Sequence, residues 1–155
     1  MYTKQISLAL LLVFSLVACT ISSNSKDAQV ISKKVANILD QMTLAEKVGQ
    51  MTQIDMRLLD DPSDIKTYHI GSILSGGGAV PESNTPLGWL EMVNGFQKVA
   101  MENRLAIPLI YGVDAVHGHN NVLGATVFPH NLALGAANDA DLVYRINKAT
   151  ATEVA

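Results

Sequence analysis

Hydrophobic residues recur at helical spacing in four stretches of the chain, and each stretch predicts an amphipathic helix. The predicted helices cover Gln29–Met42, Leu44 to about Met51, Thr85 to about Asn103, and the residues after Asn138 or Asp139. In the first helix the apolar stripe consists of Ile31, Val35, Ile38, Leu39 and Met42. The hydrophobic pattern of the last helix continues to Ala155 without a stop signal, so we expect the sequence to be the N-terminal part of a longer protein.

Polar residues at the starts of these patterns predict how the helices are capped. Thr43 and Glu46 have the spacing of a capping box, in which each side chain bonds the backbone amide of the other residue. The helix that follows is expected to bury Leu44, Val48 and Met51. Thr85 before Pro86 predicts a second capped start.

Short apolar runs between the helices predict strands. Ile107–Val113 is apolar except for Gly112, which indicates a strand buried on both faces. His69–Leu74 is predicted as the first strand and Phe128–Gly135 as the third. Ile54–Tyr68 is mixed in character and is predicted as a loop with one helical turn.

Alternation of strands and helices favours a parallel α/β architecture. A (β/α)8 barrel needs about 250 residues, so 155 residues hold about three of its strands. An open flavodoxin-like sheet fits the length better but requires two more strands. The pattern alone leaves both alternatives open.

Composition narrows the range of partners. The net charge is −3, and no basic patch or interleaving of basic and aromatic residues occurs, so we expect no nucleic-acid partner. With one cysteine, an internal disulfide is impossible.

The amino terminus has the features of a targeting segment. Lys4 precedes an apolar stretch, Ile6–Val17, that is too short for a comfortable membrane span. The small residues before Cys19 resemble a bacterial lipobox, although an ordinary secretory signal is the alternative. The expected organisation is a signal peptide at 1–18, a flexible tether at 19–28 and a domain at 29–155. A lipid on Cys19 would anchor the protein to a membrane of the bacterial cell envelope.

Candidate chemistry gathers after the central strand. Asp114 follows Val113 directly. Because parallel α/β proteins bind ligands at the carboxyl ends of their strands, Asp114 is a candidate for contact with substrate. An Asp that forms a turn or caps a helix is the equally weighted alternative. His117 and His119 have the spacing of a metal-binding pair, but we favour histidines that pack in a loop. The glycines at 76–78 indicate a permissive turn at the rim of the sheet rather than a phosphate cradle.

Several blocks of sequence resemble glycoside hydrolase family 3, in its β-glucosidase and β-glucan exohydrolase branch. They are MTLAEKVGQM at 42–51, YGVDAVHGHNN at 111–121, ATVFPHN at 125–131 and LGA at 134–136. The resemblance implies the N-terminal part of a (β/α)8 TIM barrel and an enzyme that removes glucose, with retention, from β-linked glucosides or oligosaccharides. It implies no cofactor and no metal.

The same resemblance assigns roles to individual residues. Asp114 matches the residue that binds hydroxyls of the terminal sugar. For four further residues the resemblance implies only that they shape the loops near the site: His117, His119, His130 and Asn131. The family's nucleophile is an Asp followed by Trp, and no such pair occurs in this sequence. We therefore expect no catalytic residue within the chain, and an activity that belongs to a longer parent.

Two other functions remain open at this stage. One is a lipid-anchored, non-catalytic glycan-binding protein, which the missing nucleophile favours only if the chain is complete. The other is a metal-dependent barrel hydrolase that uses His117 and His119 as ligands, for which no further clustered ligands are found in the sequence.

Overall fold

The computed structural model describes residues 26–155, which divide into two units at the boundary between Met42 and Thr43. Residues 26–41 form a helix (α1), so the predicted tether is helical at 26–28. Four residues of the predicted stripe are exposed, from 39% at Ile38 to 61% at Ile31, and Met42 is half-buried. The predicted signal peptide and Cys19 lie outside the described residues. Within 26–155, no helix has both the length and the apolar run needed to cross a membrane.

The second unit, Thr43–Ala155, is built around a parallel sheet. Its described strands are β1 (Gln53–Asp55), β2 (Ser72–Ser75) and β3 (Ile110–Val113), which lie in the order β1-β2-β3. The register pairs Asp55 with Leu74, and Ser75 with Val113. The carboxyl ends of the three strands therefore meet at one edge of the sheet.

Helices connect these strands and follow them. They are α2 (Leu44–Gln50), a 3-10 turn (Met56–Leu58), α3 (Asp64–Thr67), α4 (Pro86–Met101), α5 (Asn131–Ala137) and α6 (Ala140–Val154). The predicted capped starts of α2, α4 and α6 are confirmed. The capping box at Thr43 is complete, the Thr85 side chain accepts from the Gly88 amide, and Asp139 accepts from the Leu142 amide.

The core lies on the side of the sheet that α3 and α4 cover. Its fully or nearly fully buried residues are Ile65, Ile70, Ile73, Ala100 and Leu109, and the partly buried Phe96, Val99 and Tyr111 pack against them. Ile73 and Tyr111 are partners in the strand register, so they face the same side. The other face of the sheet carries Leu74 and Ile110.

The strand predictions were partly wrong. The first strand is β1, which overlaps the start of the segment predicted as a loop. It was missed because its three residues are too few and too polar to produce a pattern. The predicted third strand at 128–135 is instead mostly α5, whose sequence NLALGAA is rich in strong helix formers. The central strand is confirmed at Ile110–Val113, which is shorter than predicted. It is not buried on both faces as expected, since Ile110 is 72% exposed on the face opposite the core.

The buried face of α2 is the opposite of the one predicted. Leu44, Val48 and Met51 are 78%, 52% and 81% exposed. The helix instead buries Glu46 and Gly49. A Cβ on Gly49 would lie 2.3 Å from the carbonyl oxygen of Tyr68, so this close approach requires glycine.

Candidate functional site

Three polar segments meet at the carboxyl edge of the sheet. Asp55 is the last residue of β1, Gly76 follows β2, and Asp114 follows β3. The Asp114 amide donates to the Ser75 carbonyl at 3.2 Å, which continues the ladder by one residue and fixes the backbone of Asp114. Asp114 lies at this edge, as the strand-end argument predicted, and its side chain is exposed.

The glycine turn after β2 holds the Asp114 carboxylate. The amide of Gly77 donates to Asp114 Oδ2 at 3.2 Å. Gly77 and Gly78 have φ values of +46° and +85°, in the left-handed region that favours glycine. The prediction of a permissive turn at the rim of the sheet is therefore confirmed, and the turn also supplies a hydrogen-bond donor.

Asp55 comes close to the same point from the other side of β2. An ideal Cβ built on Gly76 would lie 3.2 Å from Asp114 Oδ2 and 3.5 Å from Asp55 Oδ2. The two carboxylates therefore flank Gly76, and their Oδ2 atoms lie within the reach of one hexose. A side chain at residue 76 would occupy the space between them.

Arg57 fixes the charge of Asp55. Its backbone amide and its Nε both donate to Asp55 Oδ1 at 2.9 Å, and its Nη2 donates to Oδ2 at 2.7 Å. These hydrogen bonds, with the Arg57 side chain contributing most, lower the pKa of Asp55 to about 2. A group that stays ionised above this pH is a poor general acid, so Asp55 is not suited to protonate a leaving group.

A hydrogen-bonded chain crosses the sheet beneath this edge. The Tyr111 hydroxyl donates to Ser75 Oγ at 2.6 Å, and Ser75 Oγ donates to the Met56 sulfur at 3.0 Å. Ser75 is completely buried, and burial raises the pKa of the Tyr111 phenol. The chain ties β3, β2 and the turn after β1 together directly below the two carboxylates.

The loop after β3 folds back on itself. The Phe128 amide donates to the His117 carbonyl at 2.7 Å, and the His117 amide donates to Asn120 Oδ1 at 3.2 Å. At Gly118 a Cβ would lie 2.2 Å from the Thr126 carbonyl oxygen, so only glycine fits between the two arms of the loop. Thr126 is in turn held by Glu153 of α6, whose carboxylate accepts from its hydroxyl at 2.7 Å.

Asn84 connects the loops after β2 and β3. Its Nδ2 donates to the Asn121 carbonyl at 3.0 Å, and its Oδ1 accepts from Trp89 Nε1 at 2.8 Å. Asn121 in turn donates from Nδ2 to the Asp114 carbonyl at 3.3 Å. These contacts support the backbone that carries Asp114.

The predicted histidines go to two different places. The rings of His117 and His130 are in edge contact, with their centroids 4.7 Å apart, and His119 makes the same kind of contact with Trp89 at 5.5 Å. His130 also caps α5 by accepting from the Leu132 amide at 3.4 Å, and Asn131 is the exposed first residue of that helix. No group of three or more metal-ligating side chains occurs in the described part of the chain.

His119 faces a cavity of about 500 Å³ rather than the carboxylate edge. The cavity lies between α4, β3 and the end of α6, and its lining includes Trp89, Tyr111 and Glu153 but not Asp114. His119 is 7% exposed, and its Nδ1 has no hydrogen-bond partner among residues 26–155. Burial lowers the pKa of His119, while the Glu153 carboxylate opposes this shift.

Sequence reasoning missed Asp55, Arg57 and Asn84 as parts of this edge, and it did not foresee that the predicted glycine turn lies against Asp114. Asp55 carries the same signal as Asp114, a carboxylate at the end of a strand, but that signal is visible only once β1 is recognised. Asn84 gives no local signal, since its partners at Trp89 and Asn121 are known only from the folded chain.

Comparison with protein families finds one match over most of the chain. The model described as the N-terminal domain of glycosyl hydrolase family 3 matches residues 43–155, which is the extent of the second unit.

Relatives with a described activity are similar over much of the chain but are far longer than it. The chain is 42% identical over 120 residues to a lysosomal β-glucosidase of Dictyostelium discoideum, which covers 66% of this chain and 14% of that protein. It is 31% identical over 123 residues to a periplasmic β-glucosidase of Salmonella typhimurium, covering 78% of this chain and 14% of the relative. The chain therefore spans about one seventh of the length of these two relatives.

A solved structure extends the likeness to the fold. The exo-1,3/1,4-β-glucanase ExoP from a Pseudoalteromonas species superposes with a TM-score of 0.73 at 39% identity, over 81% of this chain and 16% of that one. This confirms the predicted fold class, in which the three parallel strands and their helices are part of a TIM-barrel-type α/β fold.

Proposed function

The chain belongs to glycosyl hydrolase family 3, and from this premise we propose that it is the N-terminal barrel segment of a retaining, exo-acting β-glucosidase. The support is the β-glucosidase and exo-glucanase names of its relatives, together with the low share of their length that it spans. The proposed substrates are β-linked glucosides or oligosaccharides.

The observation that carries the proposal is the position of Asp114. Its carboxylate is exposed at the carboxyl edge of the sheet, and a single backbone amide, that of Gly77, holds Oδ2 at 3.2 Å. A carboxylate has about four lone-pair sites, so this one keeps acceptor capacity for sugar hydroxyls. Hydrogen bonds to an ionised acceptor are roughly twice as strong as neutral ones.

Asp114 acts here as a binding residue and not as the nucleophile. A retaining enzyme requires a nucleophile and an acid/base about 5–5.5 Å apart. Asp55 is held ionised by Arg57, and the sequence contains no Asp-Trp pair. We therefore place both catalytic carboxylates on a part of the parent enzyme outside this chain, and assign this chain the task of holding the non-reducing sugar.

Loop residues around Asp114 complete the proposed site. His117 and His130 pack edge to edge within the loop after β3, and Asn131 begins α5 directly behind them. His119 packs on Trp89, whose indole N–H is bonded to Asn84. We propose that these residues shape the loop and do not contact substrate.

The test is Asp114→Asn in the full-length protein that contains this chain. Hydrolysis of p-nitrophenyl β-glucoside is expected to lose about a hundredfold or more in kcat/KM, because two charge-assisted bonds are weakened. Asp60→Asn, an exposed Asp in the loop before α3, serves as the matched control and should leave the rate unchanged. A rate for Asp114→Asn equal to that of the control would refute the role of Asp114.

The non-catalytic alternative is decided by the wild-type protein in the same assay. NMR monitors the anomeric configuration of the released glucose, and release with retained configuration supports the proposal of a retaining glycosidase. Binding of cello-oligosaccharides without any hydrolysis by the full-length protein would overturn the glycosidase proposal in favour of a glycan-binding protein. The 155-residue chain alone is expected to release no p-nitrophenol.

We further propose that the protein is anchored to the bacterial cell envelope by a lipid on Cys19. The support is the lipobox-like sequence before Cys19 and the periplasmic and lysosomal locations in the names of two relatives. Labelled palmitate should be incorporated into the wild-type protein and not into Cys19→Ser. Equal labelling of both would exclude the anchor.

A further inference from the structure

The ion pair of Asp55 and Arg57 lies at the same edge as Asp114 but has no place in the mechanism above. Its two residues are separated by only one position in the chain, and the guanidinium holds both carboxylate oxygens. The Arg57 side chain is 58% exposed and that of Asp55 is 21% exposed. Exposed pairs of this kind contribute little to stability, so stability alone is a weak reason for this geometry.

Gly76 brings this pair next to Asp114. The position that its Cβ would occupy is 3.2 Å from Asp114 Oδ2 and 3.5 Å from Asp55 Oδ2. Because residue 76 has no side chain, the two carboxylates lie close to each other, with Leu74 Cδ2 also 3.5 Å from that position. Arg57 Nη2, which donates to Asp55 Oδ2 at 2.7 Å, therefore lies near the same space as the Asp114 carboxylate.

The donors of Arg57 complement the acceptors of Asp114. A guanidinium carries five N–H groups in a fixed plane. Within residues 26–155, the hydrogen bonds of this guanidinium all go to Asp55, through Nε and Nη2. The remaining N–H groups are those of a partly exposed arginine whose orientation is fixed, so little side-chain entropy is lost when it binds a ligand.

We propose that Arg57, oriented by Asp55, is a second contact for the sugar unit that Asp114 binds. The inference rests on the proposed function and deepens it. Asp114 accepts from a hydroxyl while Arg57 donates to an oxygen of the same sugar, so the two together recognise a neutral hexoside by both its donor and its acceptor groups. Arg57 is a specificity residue in this arrangement, and Asp55 is a positioning residue.

The experiment measures Arg57→Ala in the full-length protein with p-nitrophenyl β-glucoside and its monodeoxy analogues. Loss of one charged hydrogen bond is expected to lower kcat/KM roughly tenfold on the parent glucoside, mainly through KM. The loss should disappear on the one analogue that lacks the oxygen Arg57 contacts. Asp55→Asn should show the same pattern, because Arg57 loses its anchor, and Arg145→Ala, an exposed arginine of α6, is the matched control.

The outcomes separate this inference from the proposed function. The role of Arg57 would be overturned, and the glycosidase proposal left intact, by the following result. The wild type is active, Asp114→Asn loses its kcat/KM, and Arg57→Ala keeps the wild-type kcat/KM. An equal loss on every analogue would also overturn it, because a merely structural role has no preferred hydroxyl. A normal Asp55→Asn beside a selective loss in Arg57→Ala would overturn the positioning role of Asp55 alone.

Discussion

Glu46 is a largely buried carboxylate that links the start of α2 to a distant part of the second unit. Its side chain is 10% exposed, and it closes the capping box by accepting from the Thr43 amide at 2.8 Å. Arg104, which lies 58 positions later, donates to both of its carboxylate oxygens. The bonds from Arg104, followed by the bond from Thr43, lower the pKa of Glu46 from 4.5 to about 2.

This lowered pKa predicts the direction of a pH dependence. A carboxyl group whose pKa is lower in the folded state contributes stability that is fully present above its unfolded pKa. The contribution of Glu46 is therefore complete above about pH 4.5 and is lost as the pH falls toward 2. We expect the thermal unfolding midpoint of the full-length protein to fall across this range, and to fall less steeply in Glu46→Gln.

The comparison with Asp61→Asn makes this prediction specific. The pKa of Asp61 is also lowered, by hydrogen bonds from Ser63, but Asp61 is exposed and lies in a local turn. Asp61→Asn should therefore change the slope of the unfolding midpoint against pH less than Glu46→Gln does. Identical slopes in wild type and Glu46→Gln would contradict the role given to Glu46.

Residue-scale predictions from sequence succeeded where the chemistry is local. The capping box at Thr43 is contained in four consecutive residues, and Asp114 follows directly from the end of an apolar run. Two contacts between residues far apart in the sequence were not predicted, because no local pattern indicates them. Arg104 binds Glu46 across 58 positions, and Asp55 lies near Asp114 across 59 positions.

At the scale of elements, two glycines set how α2 meets the start of β2. A Cβ on Gly49 would lie 2.3 Å from the Tyr68 carbonyl oxygen, and one on Gly71 would lie 2.2 Å from that of Gln50. The Gly71 amide donates to the Gly49 carbonyl at 2.9 Å. Backbone therefore packs on backbone at this junction, without room for a methyl group.

We predict opposite effects for the same substitution at two helical glycines. Gly49→Ala should lower the free energy of unfolding by about 1–3 kcal/mol, since backbone must move to accommodate the methyl group. Gly95→Ala in α4, where a Cβ meets nothing within 4 Å, should raise it by about 0.5–1 kcal/mol through helix propensity. Urea denaturation of the full-length protein measures both. A harmless Gly49→Ala would show that the α2 junction is not closely packed.

These contacts also explain where element-scale prediction failed. The apolar periodicity of α2 predicted the position of the helix correctly. The face that the helix buries carries Gly49 and Glu46, however, and not the apolar stripe. For α4 the predicted stripe of Leu90, Val93, Phe96 and Ala100 is confirmed in part. Ala100 lies in the core and Phe96 packs against it, whereas Leu90 is 56% exposed. A periodic pattern therefore located both helices, whereas the contacts of small and charged residues decided which face of α2 is buried.

At the scale of the whole molecule, the described sheet has two unpaired edges. β1 and β3 each pair only with β2, and the strands follow the order of the sequence. Ile110 on β3 is 72% exposed and faces away from the core, because Tyr111, the next residue, packs against that core. In a closed barrel this face is the interior, which side chains fill.

The barrel proposal therefore predicts that Ile110 is buried in the full-length protein, although it is exposed in this chain. Ile110→Lys should place an unpaired charge in a barrel interior, at a cost of several kcal/mol. Soluble yield and the thermal unfolding midpoint should both fall. Tyr144→Lys on α6, at 69% exposure, is the matched control and is expected to be tolerated. If Ile110→Lys unfolds at the wild-type temperature, this face of the sheet stays open to solvent, and the chain is not the first part of a closed barrel.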